Sequence, residues 1–93
     1  MSESTKYIIA LGRRKESTAR VRMEPGNGRI IINSRPFEKY FLRETDRIIA
    51  KQPLALTEST TKFNIAAKLN GGGITGQAGA LRLGIARALL LAD

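Results

Sequence analysis

Two stretches hold residue types suited to chemistry with an anion: Gly12-Arg13-Arg14-Lys15 near the start, and Gly71-Gly72-Gly73-Ile74-Thr75-Gly76-Gln77 in the last third. In the first, consecutive cations can reach phosphates in several directions, and Gly12 lets a backbone approach closely. In the second, Gly71, Gly73 and Gly76 satisfy the G-x-G-x-x-G pattern of dinucleotide-binding turns, while Gly71 and Gly76 have the spacing of the two P-loop glycines. Neither nucleotide motif is complete. The sequence ends about where a second strand and its acidic ribose ligand belong. Gln77 stands where a P-loop has Lys, and Ala78 where it has the metal-binding Ser or Thr. What both motifs share is a set of backbone N–H groups at a glycine-rich helix start, which is an anion site. Here that site is read as a seat for an RNA phosphate. A tight strand-to-helix turn with no ligand competes with that reading, and a nucleotide-binding fragment is the alternative by motif.

Catalysis is not expected. The chain has no His and no Cys, which removes imidazole bases, thiolate nucleophiles and the usual zinc ligands. Ser17 and Ser59 have no His to activate them, and Lys68 has no nucleophilic setting. The eight acids are scattered, without the spacing of a metal site or a carboxylate pair. No metal and no cofactor is therefore expected. The charge is more informative: 16 Lys and Arg against eight acids leave +8 on 93 residues. Such a field attracts polyanions, of which nucleic acid is the commonest. The polar N-terminus, the short apolar run Ile8 to Leu11 and the lack of a basic amphipathic helix with aromatic anchors point away from a membrane. The expectation is a cytoplasmic protein.

The elements that must position these groups follow from periodicity. Tyr7 to Leu11 reads as a short apolar strand. Thr18 to Met23 alternates, with Ala19, Val21 and Met23 facing one way and Thr18, Arg20 and Arg22 the other. If it pairs with the first strand, Arg13, Arg14, Lys15, Arg20 and Arg22 share one surface. Pro25-Gly26-Asn27-Gly28 predicts a tight hairpin turn into an Ile-rich strand over Arg29 to Asn33. Pro36 suits the first turn of a short helix carrying Phe37, Tyr40 and Phe41. A second short helix covers Glu44 to Lys51, with Ile48 and Ile49 buried and Pro53 stopping it. Phe63, Ile65, Ala67 and Leu69 alternate with Asn64, Ala66, Lys68 and Asn70 as a half-buried strand.

After the glycine turn, a helix from Ile74 to Leu91 carries the core stripe Ala78, Leu81, Ile85, Ala88 and Leu89. Within it Gly76, Gly79 and Gly84 are each unfavourable by about 1 kcal/mol relative to Ala. Something must therefore pack very close to the helix backbone, either the sheet or an RNA strand. Arg82 and Arg87 extend from this helix, Arg87 opposite the stripe. The two Tyr and three Phe are expected in the core, not as base-stacking platforms. The sum is one α+β domain with a mostly antiparallel sheet, short helices and a long C-terminal helix. Residues 1–5 are expected to lack fixed structure.

Gly71-Gly72-Gly73, Gly76-Gln77, Gly79-Ala80, Arg82, Gly84-Ile85 and Arg87-Ala88-Leu89 together resemble the signature of the ribosomal protein S-nine family of the small subunit. Gly12-Arg13-Arg14-Lys15, Ala19-Arg20-Val21, Pro25-Gly26-Asn27-Gly28 and Arg43-Glu44-Thr45 resemble its other stretches, in the same order. The resemblance implies the ribosomal protein S-five domain-two-like fold, with a left-handed β-α-β crossover. It also implies a structural place in the head of the small subunit, with ribosomal RNA and neighbouring ribosomal proteins as partners. The RNA-binding candidates are Gly12, Arg13, Arg14, Lys15, Arg20, Arg22, Lys68, Gly71, Gly72, Gly73, Gly76, Gln77, Arg82 and Arg87. Leu83 stands where the family often has His. Members normally continue into a long basic tail that touches transfer RNA at the peptidyl site. This sequence stops at Asp93, so the expectation is a body without that contact, whose Leu89-Leu90-Leu91 end is open to self-association.

Overall fold

The period-two alternation becomes a five-stranded sheet in the computed structural model, which describes residues 7–92. The expectation for residues 1–5 lies outside that range. The elements run β1 (Ile8–Arg14), β2 (Ser17–Pro25), β3 (Ile30–Ile32), β4 (Arg35–Pro36), α1 (Phe37–Tyr40), α2 (Glu44–Leu56), β5 (Phe63–Asn70) and α3 (Ile74–Ala92). The sheet order is β1-β2-β5-β3-β4. Every adjacent pair is antiparallel except β3 with β5, which is parallel. The connection from β3 through α1 and α2 to β5 is thus a β-α-β unit, as a parallel pair requires.

This order corrects the hairpin expected at Pro25-Gly26-Asn27-Gly28. β3 does not return beside β2, because β5 lies between them. The turn wraps the start of β5 instead: the Gly26 N–H donates to the Lys62 carbonyl at 2.9 Å and the Gly28 N–H to the Phe63 carbonyl at 3.0 Å. The Asn64 side-chain oxygen accepts from the N–H groups of Asn27 and Arg29. The tight hairpin turn falls at Asn33-Ser34 between β3 and β4, where both residues have positive φ.

The second helix also differs from expectation. Pro53 does not stop it but sits inside α2, which runs on to Leu56. A proline loses its own N–H bond and crowds the carbonyl four residues back, but here it stands in the last turn, with only Leu54, Ala55 and Leu56 after it in the helix. The end comes where Thr57 donates from both N–H and hydroxyl to the Pro53 carbonyl and Glu58 turns to φ 54°. Ile48 is exposed and Ile49 only half-buried; the buried face of α2 is Asp46, Ala50 and Leu54.

The helix α3 lies across one face of the sheet, against β1 and β2, with α2 packed on it. Val21, Met23, Ile32, Phe41, Leu81 and Ile85 fill the core. The expected stripe is buried at Ala78, Leu81, Ile85 and Ala88, and half-buried at Leu89. At Gly84 it is the sheet that approaches the helix backbone. A Cβ on Gly84 would lie 2.6 Å from Val21 Cγ2, and a Cβ on Gly12 would strike the Ala80 carbonyl oxygen and the Gly84 nitrogen. Gly12 is buried against α3, so its expected role as an approach point for phosphate does not hold.

Candidate nucleic-acid interface

Strand parity divides the cations. In the β1–β2–β5 ladder, Arg13 stands opposite Thr18, Leu11 opposite Arg20, and Arg20 opposite Lys68, while Arg22 faces Ile9 and Ala66. Side chains of directly opposed residues share a face, so Arg13, Arg20, Arg22 and Lys68 occupy the side of the sheet that α3 leaves open. Arg14 is opposite Ser17, whose side chain is buried on the helix side. The Arg14 stem accordingly passes over Gly79, where an added Cβ would lie 3.2 Å from its Cγ. The expected single surface of Arg13, Arg14, Lys15, Arg20 and Arg22 is therefore two surfaces. One residue step along a strand reverses the face.

On the helix side, Arg14, Lys15 and Arg82 line a cleft of about 660 Å³ together with Gly72, Gly73 and Gly76. Glu16, Ser17, Ile49, Thr75 and Gly79 complete the lining. The cleft mouth is the start of α3. The Gln77 N–H makes the first intrahelical bond, to the Gly73 carbonyl at 2.9 Å. The N–H groups before it have no intrahelical acceptor, and α3 carries no acid in its first turn to offset its positive end. Gly71 and Gly72 have φ of 77° and 57°, the left-handed region that glycine enters without penalty. Gly73 and Gly76 are not at positive φ. An added Cβ meets nothing within 4 Å at Gly73 but lies 2.9 Å from Ser17 Oγ at Gly76. Lys15 holds φ 57° in the two-residue β1–β2 turn, an uncommon conformation for a side chain of that size. Arg82 donates to the Gln52 side-chain oxygen at 3.2 Å, which steadies it at the rim.

Gln77 is not at the surface. It is 8% exposed, its amide nitrogen donates to the Gly71 carbonyl at 3.0 Å, and its oxygen accepts from the Tyr40 hydroxyl. The position a triphosphate loop gives to Lys is thus turned inward. Arg87 is exposed, as expected, yet its guanidinium donates to the Leu11 carbonyl at 2.9 Å. Tyr7 is half-exposed instead of a core residue, with the Arg22 guanidinium 4.1 Å from its ring centre.

The open face repeats the cationic character without a pocket. Arg20 and Lys68 are direct cross-strand neighbours, a like-charge pairing that destabilises an isolated sheet. Among the described residues neither is within salt-bridge distance of an acid, whereas Arg22 has Glu24 at 3.9 Å.

Three residues gain a part in the site that the sequence does not suggest: Ser17, weighed there only as a nucleophile, whose hydroxyl donates to the Gly71 carbonyl, and Asn33 and Tyr40, which stand behind Gln77. The Asn-Ser dipeptide after an Ile-rich strand was the available signal for Asn33. Tyr40 gave none beyond its aromatic ring. The sequence model of the family described as ribosomal protein S9/S16 matches residues 12–93, from the glycine of β1 through the end of α3.

Proposed function

The chain belongs to the ribosomal protein S9/S16 family, and on that premise we propose that it is a structural constituent of the small ribosomal subunit. In this reading it binds ribosomal RNA in the head region, beside neighbouring ribosomal proteins in the cytoplasmic ribosome, and catalyses no reaction. The observation that carries the reading is the convergence of Arg14, Lys15 and Arg82 on the glycine-rich start of α3. Cationic side chains and backbone N–H donors there face one open cleft, the arrangement suited to backbone phosphates. The open face, with Arg13, Arg20, Arg22 and Lys68, supplies further phosphate contacts.

The test is footprinting of small-subunit RNA with the wild-type protein and with a Lys15→Gln, Arg82→Gln double variant. The wild type protects discrete backbone positions, and the variant loses a subset of them. Identical protection by both proteins refutes the cleft as an RNA site. A second reading, self-association of the isolated chain, draws on Leu56, Leu90 and Leu91, which are 77%, 78% and 65% exposed. Light scattering that finds only monomer disposes of it.

A further inference from the structure

Five polar contacts form a line that ends on the glycine turn. Asn33 is pinned to β5 by two hydrogen bonds: the Leu69 N–H donates to its side-chain oxygen at 2.9 Å, and its Nδ2 donates to the Leu69 carbonyl at 3.1 Å. That same Nδ2 lies 3.4 Å from the Tyr40 hydroxyl, which donates to Gln77 Oε1. Gln77 Nε2 then donates to the Gly71 carbonyl.

We infer that Tyr40 is a positioning residue of the cleft, its hydroxyl acting through Gln77 to hold Gly71 and Gly72 in the conformation that receives phosphate. The inference rests on the proposed reading of the cleft as an RNA site. A carbonyl can only accept, so the end of Gln77 that faces Gly71 must be its NH₂. The amide oxygen then points back into a buried site and needs a donor, and the Tyr40 hydroxyl supplies it. Without that donor either end of the amide can turn toward Gly71, and one of the two orientations sets oxygen against oxygen. The turn depends on such a tether because its two successive glycines take either sign of φ almost equally well. Ser17 Oγ, 3.0 Å from the same carbonyl, is a second tether from the sheet side. A turn fixed in advance loses less freedom when phosphate arrives, and binds it more tightly for that reason.

Replacing Tyr40 with Phe removes the oxygen alone. The ring keeps its edge-on packing against Phe41, with centroids 5.1 Å apart. With the small-subunit RNA protected by the wild-type protein as probe, Tyr40→Phe should weaken binding about two- to tenfold, the worth of one hydrogen bond. The slope of log affinity against log salt should also fall by roughly 0.7 to 0.9, as one phosphate is no longer seated. A smaller fraction of folded protein would leave that slope unchanged, so the slope separates positioning from mere support of the fold. Gln77→Met, a variant of similar length that can make neither hydrogen bond, should weaken binding as well. In that background Tyr40→Phe should add nothing. Lys15→Gln serves as the control for the cleft itself. If Lys15→Gln weakens binding while Tyr40→Phe leaves both affinity and slope unaltered, the inference is overturned and the cleft stands. It is also overturned if Tyr40→Phe weakens Gln77→Met by the same factor as wild type. If neither Lys15→Gln nor Tyr40→Phe has any effect, the cleft is not the RNA site and the inference falls with it.

Discussion

Replacement of Gly12 by Ala tests the account of why α3 lies where it does. Gly12 is in an extended strand and is not at positive φ, so Ala meets no backbone strain there. The added methyl would instead run into the Ala80 carbonyl oxygen and the Gly84 nitrogen, both backbone atoms of a helix. Overpacking typically destabilises by about 1–3 kcal/mol, and a helix backbone can yield less than a side chain, which places this site near the upper end. The alanine also restricts the unfolded chain, which returns about 0.4–1 kcal/mol to stability. The net expected loss is roughly 2–2.6 kcal/mol, out of a total of about 5–14 kcal/mol for a chain of this length. At about 4–8 °C per kcal/mol, Tm should drop by roughly 8–21 °C. Thermal unfolding followed by circular dichroism measures it directly, with Gly73→Ala as the control because nothing lies within 4 Å of a Cβ there. A Gly12→Ala protein melting within about 2 °C of wild type would mean that β1 and α3 do not touch backbone to backbone, since even ~1 kcal/mol exceeds that shift.

The control has its own prediction in binding. Gly73→Ala should change stability by no more than about 0.5 kcal/mol, as is usual for a substitution that meets no neighbour, yet should lower RNA affinity in a filter assay by crowding the phosphate seat. Lys15→Gly should relieve the positive-φ strain and raise stability by about 1 kcal/mol in chemical denaturation, while weakening RNA binding. A variant that gains stability and keeps full affinity would remove Lys15 from the interface. Engagement of about five phosphates should give a log–log salt slope near −3.5 to −4.5, and Arg20→Gln should make it shallower by about 0.7–0.9. An unchanged slope would take the open face out of the contact.

Local patterns in the sequence were legible where the physics is local. The alternation of β2 and β5 and the stripe of α3 follow directly from the repeat of side-chain direction along a strand or helix. The placement of β5 between β2 and β3 was not legible, because the Pro25–Gly28 turn chemistry fits a hairpin equally well and strand order depends on distant partners. The split of Arg13 from Arg14 was within reach of strand parity. The apolar run stops at Leu11 and hides it, because β1 continues through polar residues to Arg14. Gly12 illustrates a deeper ambiguity. A glycine signals close approach but not the identity of what approaches, and here it is α3. The inward turn of Gln77 depends on Tyr40, a residue 37 positions away, and no local pattern encodes it.

The hydrogen bond from Arg87 to the Leu11 carbonyl matters most before any ribosome is assembled. β1 is the outermost strand on its side, with Ile9 and Leu11 alternating as exposed apolar side chains. An unpaired edge of that kind is a template on which the strand of a second chain can build. By occupying one of the outward carbonyls from 76 residues away in the sequence, Arg87 closes a rung of that template and sets a bulky charge beside it. Its loss would therefore be felt first as aggregation of newly made, unbound protein, a failure of survival in solution that an affinity measurement on assembled particles would not register.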